Sequence, residues 1–181
     1  MDITNKKNIL DFIRTVPNYP KEGINFYDIN SLFASNIFVD VMWDLSQAVS
    51  NFTNDATHIA GVESRGFVIG STIAYELGLP FVMIRKEHSK YPGNLHSESY
   101  KLEYGSNTLV LQEGLIGHTS RIVLVDDLIA TGGSLLASQK LCESFGSKVV
   151  GNVALLDLKY IDTEEKRQLK NTIVYQEVEN D

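Results

Sequence analysis

The chain has 181 residues, 43% hydrophobic and 22% charged, which suits one domain with a real core and leaves no apolar run long enough to span a bilayer. Its net charge of -7, from 16 basic and 23 acidic residues, argues against a nucleic-acid surface, although a few local cations can still dominate a cleft that binds a small anion. A single cysteine, Cys142, excludes an internal disulfide, and the polar N-terminus carries no signal-peptide core, so a cytoplasmic protein without membrane or nucleic-acid partners is expected.

In chain order, "NKKNILDFIRTV" predicts a helix over 5–16, with Ile9, Phe12, Ile13 and Val16 on one face. The stretch "PNYPKEG", 17–23, breaks it. A second amphipathic helix is predicted over about 36–52, carrying Phe38, Val41, Met42, Leu45, Val49 and Phe52. From residue 58 strands and helices alternate: a strand over 58–62, a helix over 66–78 ended by Gly78, a strand over 80–86, a strand over 122–126, a helix over 134–145 and a strand over 148–158. Short, continuously apolar strands between helices predict an α/β fold with a mostly parallel twisted sheet covered on both faces. Residues 87–100, "EHSKYPGNLHSESY", are polar and read as a loop acting as a lid, followed by a hairpin over 100–112 turning at Gly105-Ser106. Cys142 reads as a core residue of its helix, and His58, His88 and His96 are not spaced as metal ligands.

The segment "RIVLVDDLIATGGS" concentrates the chemistry. In an open parallel sheet, ligands bind beyond the carboxyl ends of the strands, where Asp126 and Asp127 stand. The adjacent glycines of the following turn can take φ > 0 and let several backbone N–H groups converge. Ser134 or Thr131 is expected to cap the next helix, whose positive dipole end adds to an anion site. A polyphosphate against two aspartates is repelled unless a metal stands between, whereas a vicinal diol is welcome. A ribose 5-phosphate meets both demands.

The motif "VLVDDLIATGGS", with "IAGVESRGFVIG", "IRKEHSKYPG", "YKLEYGS" and "YPKEGINFYDI", resembles the type I phosphoribosyltransferases and, within them, the adenine phosphoribosyltransferase family. The resemblance spans about residues 10–160. It implies transfer of the 5-phosphoribosyl group of phosphoribosyl diphosphate (PRPP) to adenine, giving AMP and pyrophosphate in purine salvage. It implies a domain over 1–181, with residues 1–35 as the base-binding segment and 87–106 as a flexible lid, and a homodimer. Asp126 and Asp127 would hold the ribose hydroxyls, and Ala130, Thr131, Gly132, Gly133 and Ser134 the 5-phosphate. Glu63, Ser64 and Arg65 would form the pyrophosphate turn, with a cis peptide after Glu63, and Arg85, Lys86 and Lys90 would add positive charge. Asn25, Phe26 and Tyr27 would hold adenine, with Phe26 stacked on the ring. Glu103 would be the general acid/base at the purine N7. Mg²⁺ would neutralise the departing pyrophosphate, held mainly through PRPP and water, with no direct protein ligand.

The chain departs from the family's pattern at Tyr27, where many members carry arginine, at Asn25, where an aliphatic residue is common, and in the lid sequence. The alternatives are a phosphoribosyltransferase for xanthine, hypoxanthine-guanine or orotate, and a non-enzymatic PRPP-sensing regulator.

Overall fold

The computed structural model describes residues 6–89, 91–101 and 106–179. The N-terminal segment is a single 3₁₀ turn, Ile9–Phe12, whose Leu10 N–H donates to the Asn8 side chain at 3.3 Å. The helix expected over 5–16 therefore stops early. Pro17 disfavours helical backbone at Val16, and the β-branched Thr15 and Val16 suit a strand. Arg14–Pro17 (β1) instead pairs antiparallel with Asn25–Asp28 (β2), and Arg14 forms an ion pair with Asp28 across this ribbon. Ile9 and Ile13, which suggested the helical face, are buried all the same.

A short helix, Asn30–Phe33 (α1), leads to Phe38–Phe52 (α2), which buries Val41, Met42, Leu45 and Val49 along one face. The alternation follows with His58–Val62 (β3), Arg65–Leu77 (α3) and Phe81–Lys86 (β4). Gly78 closes α3 in the left-handed conformation, φ 65°. After a 3₁₀ turn at Glu87–Ser89, a hairpin is built from Leu95–Lys101 (β5) and Ser106–Gln112 (β6). The remaining elements are Arg121–Ile129 (β7), Gly133–Glu143 (α4), Lys148–Leu158 (β8), Glu164–Gln168 (α5) and Thr172–Val178 (β9).

Among the described residues the main sheet has the order β5-β6-β4-β3-β7-β8-β9. Strands β4, β3, β7, β8 and β9 run parallel, and the β5–β6 hairpin joins the edge antiparallel. The mostly parallel sheet flanked by helices is thus present. One core, on the α2 and α3 face, includes Ile69, Ile73, Val123, Val125, Leu155 and Tyr175. The other, on the α4 face, includes Ile84, Leu111, Ile122, Leu124, Leu135 and Leu141. Cys142 is fully buried in α4, and burial pushes its thiol pKa up to about 12. Among the described residues no helix is long and apolar enough to cross a membrane.

Three further differences have local causes. The polar stretch 95–101 is an edge strand, not loop: it pairs along its whole length with β6, and as an edge it needs no apolar face. The His96 ring stacks on Phe145, centroids 4.0 Å apart, and so docks the hairpin on the segment after α4. The turn expected at Gly105-Ser106 falls partly outside the described residues. Strand β7 continues past the aspartates to Ile129 because its parallel register with β8 continues, with Leu128 opposite Leu156 and Ile129 opposite Asp157. Strand β9, which the sequence pattern does not predict, alternates inward Ile173 and Tyr175 with more exposed neighbours.

Candidate active site

Adjacent residues of a strand point to opposite faces. Asp126 therefore follows Ile122 and Leu124 toward α4, and Asp127 follows Val123 and Val125 toward α3. Ser134 in the first turn of α4 donates to Asp126 Oδ2 at 2.9 Å, and the Asp127 N–H donates to Asp126 Oδ1 at 3.0 Å. On the other face Arg65 Nε lies 3.0 Å from Asp127 Oδ2. This contact is an ion pair without hydrogen-bond alignment, so the buried Oδ2 keeps its capacity to accept a hydrogen bond. Both aspartates are buried, at 7% and 5% exposure. Burial, and then the neighbouring Asp127 charge, raises the Asp126 pKa well above the usual carboxylate range.

The turn after β7 leads straight into α4. Gly132 occupies the N-cap position with φ 81°, and no side chain caps the helix. The expected cap residues are used otherwise. Ser134 is spent on Asp126, and Thr131 Oγ1 receives only a long 3.4 Å contact from the Gly133 N–H. With no N-cap side chain and only that long contact on the Gly133 N–H, the helix start presents donors and the positive end of its dipole.

The second turn, Glu63–Arg65, leaves β3 and enters α3, and the peptide bond between Glu63 and Ser64 is cis. Its nearness to β7 depends on glycine. A Cβ on Gly66 would sit 2.6 Å from the Val125 carbonyl, and one on Gly61 would sit 2.5 Å from the Gly66 carbonyl. Only this close approach lets Arg65, at the start of α3, reach Asp127. Glu63 Oε2 accepts the Lys86 N–H at 2.7 Å and lies 3.5 Å from Arg85 Nε, which ties the turn to the end of β4. The Arg85 guanidinium lies over the Tyr91 ring at 5.0 Å. Lys90 and Glu103 lie outside the described residues.

Beside the turns is a cavity of about 710 Å³, a size that suits a small-molecule ligand. Asn25, Phe26 and Tyr27 of β2 line it, with Ala130 and Thr131 of the turn after β7. Arg65 lines it too, its guanidinium 5.5 Å from the Phe26 ring centroid. Tyr19 meets the same ring edge-on at 5.2 Å. Leu128, Leu158, Tyr160 and Ile161, which no sequence signal marks as site residues, supply apolar wall. Leu128 and Leu158 reach the cavity from β7 and β8, and Tyr160 and Ile161 from the turn that follows β8. The structure thus brings Asn25, Phe26, Tyr27, Arg65, Ala130 and Thr131 to one cavity, with Asp127 held beside it by Arg65.

This geometry agrees with what the chain is similar to. The family described as Phosphoribosyl transferase domain matches residues 30–180. The adenine phosphoribosyltransferase of Rhodospirillum rubrum is 40% identical over 163 residues, covering 90% of this chain and 94% of that protein. The crystal structure of the adenine phosphoribosyltransferase from Thermoanaerobacter pseudethanolicus superposes with a TM-score of 0.87 at 36% identity, covering 94% of this chain and 98% of that one. A structure of the Trypanosoma brucei enzyme, in complex with AMP, pyrophosphate and ribose-5-phosphate, superposes with a TM-score of 0.81 at 26% identity, covering 93% and 77%. A buried aspartate pair beside an open helix start, and an apolar cavity on the same turn, belong with these similarities, and the chain is a member of the phosphoribosyltransferase family, among the adenine phosphoribosyltransferases.

Proposed function

We propose that this protein transfers the 5-phosphoribosyl group of PRPP to adenine, releasing pyrophosphate and giving AMP in purine salvage. The observation that carries the reading is that Ala130 and Thr131 line the apolar cavity and also begin the open turn at the start of α4. A base in the cavity and a phosphate in the turn would then be joined by one ribose. Asp127 Oδ2, buried and without an aligned donor, suits a ribose hydroxyl. Ala130 to Ser134 take the 5-phosphate, and Glu63, Ser64, Arg65, Arg85, Lys86 and Lys90 take the pyrophosphate side. The leaving pyrophosphate leaves an oxocarbenium-like C1, as in glycoside cleavage. Glu103 manages the purine proton.

Mg²⁺ enters as part of the substrate, its charge carried on the pyrophosphate. The Asp126 oxygens are engaged by Ser134 and the Asp127 N–H, and Asp127 faces Arg65, so a metal on PRPP fits this donor set better than a cage of protein ligands. When bound, the ion neutralises the departing diphosphate.

Adenine is read mainly by main-chain groups at 25–27. Among the described residues strand β2 pairs with β1 in a two-stranded ribbon, and its other edge would offer backbone groups to a ligand. Backbone groups survive the change to Tyr27. Residues 1–35 act as the base-binding segment and 87–106 as the lid. The protein works in the cytoplasm as a homodimer. Val68 and Tyr75, seven positions apart on α3, are 41% and 85% exposed and offer apolar surface for a second copy.

The test is release of pyrophosphate from PRPP with adenine, guanine, hypoxanthine, xanthine and orotate in turn. Adenine alone should support rapid release. Rapid release with hypoxanthine and not with adenine would overturn the base assignment, and no release with any base would overturn the enzymatic one.

A further inference from the structure

The turn Thr131–Gly132 is held from behind by a segment 32 positions further along the chain. The Thr163 hydroxyl donates to the Thr131 carbonyl at 2.5 Å. A Cβ on Gly132 would lie 2.8 Å from Lys166 Cα, so the turn rests directly on the backbone of α5. Helix α5 is in turn fixed to the sheet. Lys166 Nζ donates to the Leu158 carbonyl at 2.6 Å and the Ile161 carbonyl at 3.1 Å, and pairs with Asp157 Oδ1 at 2.5 Å. Asp157 is the register partner of Ile129, the last residue of β7. The brace thus closes a ring from β7 through the turn, α5 and β8 back to β7.

In a trans peptide the C=O and N–H point in opposite directions. Holding the Thr131 carbonyl on Thr163 therefore aims the Gly132 N–H away from α5. A peptide next to a left-handed glycine is one that turns over with little change elsewhere, because glycine tolerates both conformations. Turned over, this peptide would present an oxygen where an anion needs a donor. We propose that Thr163 is a positioning residue for the phosphate cradle: its hydroxyl keeps the Thr131–Gly132 peptide in the orientation that offers the Gly132 N–H to the 5-phosphate of PRPP and AMP. This rests on the reading of residues 130–134 as that cradle.

Calorimetric titration with AMP and with adenosine separates the possibilities. Thr163→Val should weaken AMP binding about tenfold, the worth of one well-placed hydrogen bond. Adenosine, which lacks the phosphate, should bind the variant and the unaltered protein alike. Thr163→Ser, which keeps the hydroxyl, should restore AMP affinity to within about twofold. Thr163 also caps α5 by accepting the Lys166 N–H at 3.2 Å, so helix integrity needs its own control. Glu165→Gly weakens α5 at an exposed position and leaves the hydroxyl in place; AMP affinity should hold. Unchanged AMP affinity in Thr163→Val, equal losses for AMP and adenosine, or a loss in Glu165→Gly matching that of Thr163→Val would each overturn the proposal. Failure of the unaltered protein to bind AMP would instead overturn the reading of the cradle.

Discussion

Asp126 has both carboxylate oxygens in hydrogen bonds and still has its pKa raised by burial and by Asp127. The sign of the pH effect follows. A carboxyl with a raised folded-state pKa contributes stability that is present below the ordinary carboxylate value and lost as pH rises through the raised one. Asp126→Asn has no such loss. Its thermal midpoint relative to the unaltered protein should rise as pH goes from about 4 to 8, the direction set by that linkage. Melting curves across this range check it, and a flat difference would show that Asp126 does not hold its proton preferentially in the fold. Glu103→Gln should lower single-turnover rates by about 10²- to 10⁴-fold, the usual span for general acid/base catalysis, with AMP affinity unchanged. Wild-type single-turnover rates would transfer the proton to another group. At this scale the sequence was most legible where side chain and turn chemistry are consecutive, as from Asp126 to Ser134. It was silent at Thr163, Leu158 and Tyr160, which meet the site only through folding. It misjudged Ser134, because the competition between a helix cap and a buried carboxylate is decided by three-dimensional proximity.

Helix α3 and strand β7 touch through glycine, and this contact decides where Arg65 goes. Gly66→Ala sets a methyl 2.6 Å from the Val125 carbonyl, a rigid backbone atom. The strain should cost about 1–3 kcal/mol, as overpacking does, against which the better helix propensity of alanine offsets up to about 1 kcal/mol. Urea denaturation should show the net loss, and PRPP affinity should fall further than stability because Arg65 moves with α3. Full stability in Gly66→Ala would mean that the helix shifts freely. The hairpin makes a second prediction at this scale. Amides of β5, at the outer edge of the sheet, should exchange more slowly once PRPP is bound, as closure over the reacting centre requires. Equal exchange with and without ligand would remove the lid role. Strands β3 and β8 were legible because burial on both faces makes them continuously apolar. Strand β5 was not, since an edge strand that, among the described residues, buries none fully and carries mostly polar side chains has the composition of a loop. The first helix failed for the reverse reason: Ile9 and Ile13 are four apart and buried, but a short turn followed by a strand satisfies that spacing as well.

Over the whole molecule, the excess of acidic residues leaves Arg65, Arg85 and Lys86 together on one rim, at the ends of β3 and β4. Arg65 and Arg85 face Asp127 and Glu63 there, and on the proposed reading these cations would meet the anionic substrate. The α/β class and the parallel sheet were legible from the alternation of apolar strands and helices. The strand order was not, because β7 flanks β3 from a distant part of the chain while the β5–β6 hairpin joins beyond β4.

Arg65 stands between the cavity and the aspartate pair beside it. Its guanidinium faces the Asp127 carboxylate on one side and the Phe26 ring on the other. On the proposed reading, a ligand that draws it toward either partner changes what the other meets, and the two half-sites would be thermodynamically linked. Linkage is reciprocal: the factor by which a sugar phosphate changes adenine affinity must equal the factor by which adenine changes that of the sugar phosphate. Titrating adenine with and without ribose 5-phosphate, which cannot turn over, measures the factor. In Arg65→Met, which keeps bulk and loses charge, the factor should fall toward one even where each ligand alone still binds. An undiminished factor would place the coupling elsewhere. The coupling between base and sugar phosphate would then rest on one side chain with two neighbours.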